Sequence, residues 1–155
     1  MARRYSCVIP DTAYTAAMGV QTIIEIAAAA DQHATLIEAH ITQTNIETST
    51  MEVMDIVRFA TAGTGGTAIT EQPLDPGDSA STFVAVEEPT VEGGTPSVVA
   101  IESWNILNGY HYVPTPKARI IMEGSDIIGI RIAEALEATY NIVGYVIVAE
   151  GIDLD

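Results

Sequence analysis

Glu102-Ser-Trp-Asn-Ile-Leu-Asn-Gly-Tyr-His-Tyr-Val-Pro-Thr-Pro116 gathers the single tryptophan, an Asn-Gly pair and a Pro-x-Pro stop into one short run. Asn108-Gly109 predicts a two-residue hairpin turn. A type I′ turn needs positive φ at both central positions, which Asn tolerates and Gly accepts freely. Val98 to Leu107 before the pair is rich in β-branched residues, and Tyr110-His-Tyr-Val113 after it is aromatic and β-branched. The two arms are therefore expected to pair with each other as antiparallel strands. Pro114 and Pro116 cannot donate to a ladder and push the residue before each into extended backbone, so the return strand should be short. The stretch reads as β structure and carries no catalytic signature.

Towards the C-terminus, Ala118 to Met122 predicts a strand and Glu123-Gly-Ser125 a turn. Asp126 to Ala133 alternates, with Ile128, Ile130 and Ile132 on one face. Glu134 to Thr139 reads as a loop or one helical turn, Tyr140 to Ala149 as a strong last strand, and Gly151 to Asp155 as an acidic tail. Towards the N-terminus, Arg3 to Ile9 predicts a first strand ended by Pro10-Asp11. Thr12 to Ala30 mixes helical spacing of alanines with the alternation Thr22-Ile-Ile-Glu-Ile26; a loop or helical turn at 12–19 and a strand near 21–28 are expected.

In Ala34 to Gln43, Ile37, Ala39 and Ile41 are expected to face the core, opposite Glu38, His40 and Thr42. Asn45 to Thr50 is a polar connection. Met51 to Thr61 is a strand with apolar character on both sides. Residues 62–96 form a long excursion with Gly63-Thr-Gly-Gly-Thr67, Pro73-Leu-Asp-Pro-Gly-Asp78 and a short strand at Thr82 to Val86. Its glycines lack the Lys-Ser/Thr of a phosphate loop. Seven to nine strands with no βαβ alternation predict an all-β fold: an antiparallel β-sandwich of jelly-roll or related Greek-key topology with long end loops, with an immunoglobulin-like sandwich as second choice. A single domain over 1–155 is expected, with residues 1–20 as N-terminal arm and connection.

Composition narrows the function classes. Twenty-one acids against six bases give a formal net charge of -15. Such a surface repels phosphate backbones and anionic lipid, so neither nucleic acid nor membrane is expected as a partner. It suits a solvated monomeric surface or a basic partner. Hydrophobic residues make up 48% and mean hydropathy is +0.25, which argues against disorder. Cys7 alone supports neither a disulfide framework nor a multi-cysteine zinc site; it is expected as a small buried hydrophobe. No apolar segment follows Arg3-Arg4, so export by a signal peptide is not expected.

His33, His40 and His111 do not fall at a metal-ligand spacing: His33 and His40 lie on opposite faces of a strand, and His111 stands alone between tyrosines. No nucleophile elbow is present, and Cys7 has no base beside it. No catalytic residue, cofactor or metal is expected. Trp104, Tyr110 and Tyr112 could form a sugar platform, but amphipathic rings closing a sandwich end or lining a subunit interface are the stronger expectation.

Leu36-Ile-Glu-Ala-His-Ile-Thr42, Val57-Arg-Phe59, the Gly/Thr loop at 63–67, Pro73 to Asp78 and above all Glu102 to Pro116 occur in an order that resembles a family of small structural proteins of tailed bacteriophages. The resemblance implies a capsid decoration (cement) protein, a β-sandwich often trimeric and seated where capsid subunits meet. Its partner would be the major capsid protein, and its place the capsid exterior of a virion assembled in the host cytoplasm. On this resemblance Arg3, Arg4, Trp104, Tyr110 and Tyr112 are candidate capsid or subunit contacts. A tail, neck or fibre component, including a glycan- or receptor-binding head, is the alternative.

Overall fold

In chain order the strands are β1 (Arg3–Tyr14), β2 (Gln21–Ala27), β3 (Ala34–Gln43), β4 (Met51–Phe59), β5 (Thr67–Ile69), β6 (Gln72–Pro73), β7 (Val84–Glu87), β8 (Ser97–Asn105), β9 (Tyr110–Tyr112), β10 (Ile120–Met122), β11 (Ile127–Ile132) and β12 (Tyr140–Glu150). They come from a computed structural model that describes residues 2–15, 19–46 and 49–153. Parts of the expected 12–19 connection, the 45–50 connection and the acidic tail lie outside the described residues. Two antiparallel six-stranded sheets result. One runs β10-β3-β12-β1-β6, with β9 also paired to β3; the other runs β5-β7-β2-β11-β4-β8. The all-β sandwich expected from the sequence is the observed architecture.

From β1 to β4 the chain alternates between the two sheets, and from β10 to β12 it does so again. Each crossing therefore places consecutive apolar strands face to face. Tyr5, Cys7 and Ile9 of β1 meet Ile24 and Ile26 of β2 and Ile128, Ile130 and Ile132 of β11 in one core. Each fully buried isoleucine contributes about 1.5–3 kcal/mol relative to its exposed state. Burial also pushes the Cys7 thiol up to about 12, with Glu71 adding to the effect.

Several local expectations are corrected. Pro10-Asp11 does not end β1; the register shifts between Ile9 and Thr12, and the strand continues to Tyr14. Proline's missing donor is accommodated in that bulge. In β3, Leu36 pairs with Val148 and Glu38 with Ile147, so Ile37 is the extra residue. The bulge turns Ile37 away from the main core to pack with Ile147 and Ala149, while Leu36 and Ala39 face inward. The 62–96 excursion holds three strands, with β5 and β7 extending one sheet and β6 the other.

The largest correction concerns Asn108-Gly109. β8 pairs with β4, whereas β9 pairs with β3 in the opposite sheet, so the two arms form no hairpin. Asn108 N–H donates to the Asn105 carbonyl at 2.9 Å, and Leu107 N–H donates to Asn105 Oδ1 at 3.0 Å. The turn is thus set by an Asx contact at Asn105. Only Gly109, at φ +75°, needs the left-handed region; Asn108 does not adopt it. The segment carries the chain across one side of the sandwich.

Gly144 in the central strand β12 is required by close packing. A Cβ there would lie 2.1 Å from the His40 carbonyl oxygen and 3.0 Å from Ile41 Cα, both backbone atoms. Gly144→Ala should lower the unfolding free energy by about 1–3 kcal/mol in urea titration, as overpacking does. Gly77→Ala, where the nearest atom is a carboxylate oxygen at 3.4 Å, should stay within about 0.5 kcal/mol of the parent.

Candidate functional site

Of the five residues singled out from the sequence, Arg3 and Arg4 lie together on β1. Arg3 pairs with Glu150 and Ser79. Arg4 Nε donates to Asp153 Oδ2 at 2.8 Å, and Arg119 Nη1 reaches the other oxygen of the same carboxylate at 3.1 Å. Asp153 is buried, and its N–H donates to Thr35 Oγ1. The acidic tail is therefore an internal anchor at that residue, not a solvated extension. Arg3, Arg4 and Asp153 line a shallow concavity of about 480 Å³ together with Leu74, Asp75 and Asp78.

Trp104, Tyr110 and Tyr112 gather along one side of the sandwich. Trp104 on β8 and Tyr110 on β9 come from opposite sheets, and their rings meet edge to face at 6.4 Å. Trp104 is 5% exposed and Tyr110 3%, while Tyr112 is half-buried against the core. A stacking platform needs open ring faces; Trp104 and Tyr110 are inside. Burial raises the Tyr110 phenol, with Glu102 adding to it. The Trp104 indole N–H is buried without an acceptor among the described residues.

Two arrangements were missed in the sequence. The first is a buried charge group on the outer face of the β2–β11–β4 sheet. Arg131 donates in bidentate fashion to Asp55, Nε to Oδ1 at 2.9 Å and Nη2 to Oδ2 at 2.7 Å. Its Nη1 reaches Glu92 at 3.2 Å, and Thr22 Oγ1 donates to Glu92 at 2.9 Å. Glu92 belongs to a ribbon formed by the segments 61–64 and 91–94, which bridge each other at Thr61–Gly94 and Thr64–Val91. Gly63 N–H donates to both oxygens of Glu25 at 3.0 Å, holding the other side of that ribbon down. Gly93 sits against the Phe59 ring, where a Cβ would approach within 2.7 Å. This covering layer is why β2 and β4 are apolar or buried on both faces.

The second is a histidine pair. His40 and His111 lie directly opposite each other in the β3–β9 ladder, with ring centroids 4.1 Å apart, and Tyr145 packs edge-on to His40 at 5.5 Å. Burial lowers the His40 pKa, His111 lowers it further, and Glu38 opposes both. The expectation that His111 stands alone is corrected by the β3–β9 register, which no local motif encodes.

Among the described residues, no group of three or more His, Cys, Asp or Glu side chains is arranged to hold a metal ion. No helix among them is long and apolar enough to cross a membrane. No protein-family model, curated protein or solved structure matches the chain.

Removing Asp55 should leave Arg131 buried without its principal partner. Asp55→Ala should cost about 3–5 kcal/mol in chemical denaturation, and replacing both Asp55 and Arg131 by apolar residues should cost less than that.

Burial raises the pKa of Glu25, Glu52 and Glu88. The folded chain then binds more protons than the unfolded one above the ordinary carboxylate range, so stability falls as pH rises through the raised values. The urea midpoint should be higher near about pH 5 than near about pH 8, with a shallower dependence in Glu25→Gln and Glu88→Gln. His40 acts in the opposite sense, losing stability as pH drops below about 6.5.

Proposed function

We propose that this chain is a non-enzymatic virion structural protein, a capsid decoration (cement) protein that seats on the outer shell and stabilises it across neighbouring major capsid subunits. The observation that carries this is the division of its chemistry. Arg131, Asp55 and Asp153 are buried in ion pairs, with Arg4 reaching Asp153 from the surface, while Val98, Val99 and Ile101 stand in solvent along β8. A catalytic centre gathers titratable groups around a cleft. A lattice-binding body uses them for rigidity and offers apolar surface for contact.

The resemblance carried by Glu102 to Pro116 supplies the virion setting and the capsid exterior as its place. The charge of -15 supports docking on a basic seat of the shell protein. A homotrimer is the proposed assembly. Stabilisation would follow by mass action: a ligand that binds only the assembled shell, present at about 1,000 times its Kd, adds about 4 kcal/mol per site. The inward-facing Trp104 and Tyr110 support a packing role for the aromatic group over a glycan platform.

The test mixes purified protein with expanded shells of its own phage that lack it. Saturable co-sedimentation at a fixed copy number per capsomer, with a raised shell melting temperature, is the expected result. Absence from the sedimented shell sinks the proposal, and immunogold labelling confined to a tail or neck would replace it with the tail-component reading.

A further inference from the structure

The ends of the two sheets are not alike. β5 has three residues, β6 two with Pro73 among them, β10 three, and β9 three with Pro114 soon after. Short strands and prolines are the usual means of blunting a sheet edge. β8 is different. It runs for nine residues, pairs among the described residues only with β4, and contains no lysine, arginine or proline. Trp104 is its one buried residue. Val98, Val99 and Ile101 are 54%, 43% and 64% exposed, and Met51 on the neighbouring strand is 58% exposed. The ladder with β4 is regular from Ala100 to Asn105, the single shift lying at Val99.

We infer that β8 is a docking edge that receives an extended, Lys- or Arg-bearing segment of a partner protein as an added antiparallel or parallel strand. This rests on the reading above, in which that partner is the shell protein. Backbone groups along a free edge dictate an extended occupant, and alternate apolar side chains of the occupant would cover Val98 and Ile101. Charge selects its chemistry. The only ionised group on β8 is Glu102. The nearest base in the ladder, Arg58 opposite Ser97, is held by Asp126. A second copy of the chain would bring the same charge of -15 to the interface, whereas a cationic segment is attracted to it.

The test uses two probes on the full chain. One is a short capped peptide alternating Val with Thr and ending in Lys on both sides, together with its Glu-ended counterpart; the other is the expanded shell. The Lys-ended peptide should slow amide exchange within 97–105 by about tenfold and leave the other edges unchanged, and the Glu-ended peptide should not. The double variant Val99→Lys/Ile101→Lys should lose that protection and weaken shell binding by more than about tenfold while melting close to the parent. Glu102→Lys, a change at an exposed position, should reverse the preference between the peptides. Failure of the Lys-ended peptide to protect 97–105, or equal protection by both peptides, overturns the inference. Protection that rises with protein concentration alone also overturns it, in favour of a second copy. Undiminished shell binding by the double variant removes the edge and leaves the cement role standing. Peptide protection without any shell binding keeps the edge and removes the shell as its partner.

Discussion

The pairing of Arg131 with Asp55 is the interaction on which the two-sided burial of one sheet depends. Both residues sit on outward-facing positions, where an unpaired charge under a covering layer would cost several kcal/mol. With both carboxylate oxygens satisfied at 2.9 and 2.7 Å, the guanidinium can also hold Glu92 and bring the 91–94 segment down on Phe59, whose ring in turn covers Gly129. A sandwich normally has two buried inner faces and two wet outer ones. Here part of one outer face, over β2, β11 and β4, is covered by a ribbon from the long excursion, so Thr22, Glu25, Asp55 and Arg131 become part of the interior.

That covering explains where the sequence could and could not be read. Ile128, Ile130 and Ile132 alternate cleanly and are all fully buried, as their spacing implies. The strand expected near 21–28 is β2, but the burial of Thr22 and Glu25 on its outer side was not legible, because polar residues in an alternating strand ordinarily face water. Asp55 on β4 is buried in the same way. Bulges were equally invisible: the extra residue at Ile37 reverses its direction relative to Leu36 and Ala39, and no local residue type demands it.

Asn108-Gly109 illustrates a different limit. The tight turn runs from Asn105 to Asn108, so the dipeptide stands at its exit, with only Gly109 at positive φ. Turn chemistry constrains only a few dihedrals, however, and the partners of the flanking strands are chosen by long-range burial. Trp104 and Tyr110 are both drawn into the core from opposite sheets, which directs the chain across the sandwich instead of back along it. The candidate contacts were legible as residue types. Their roles depend on neighbours such as Glu150 and Asp153 that lie far away in sequence.

Arg3 stands opposite Glu150 at the start of β1 and the end of β12, and Asp153 clasps Arg4 from the same side. The two ends of the described chain therefore emerge beside one another from a single corner of the sandwich. A polypeptide appended at either end would be presented from that corner, away from the turn that joins β8 to β9 through Asn105 and Gly109. The fold is in this sense a mount with one attachment point, on which an added domain could be displayed without threading through either sheet.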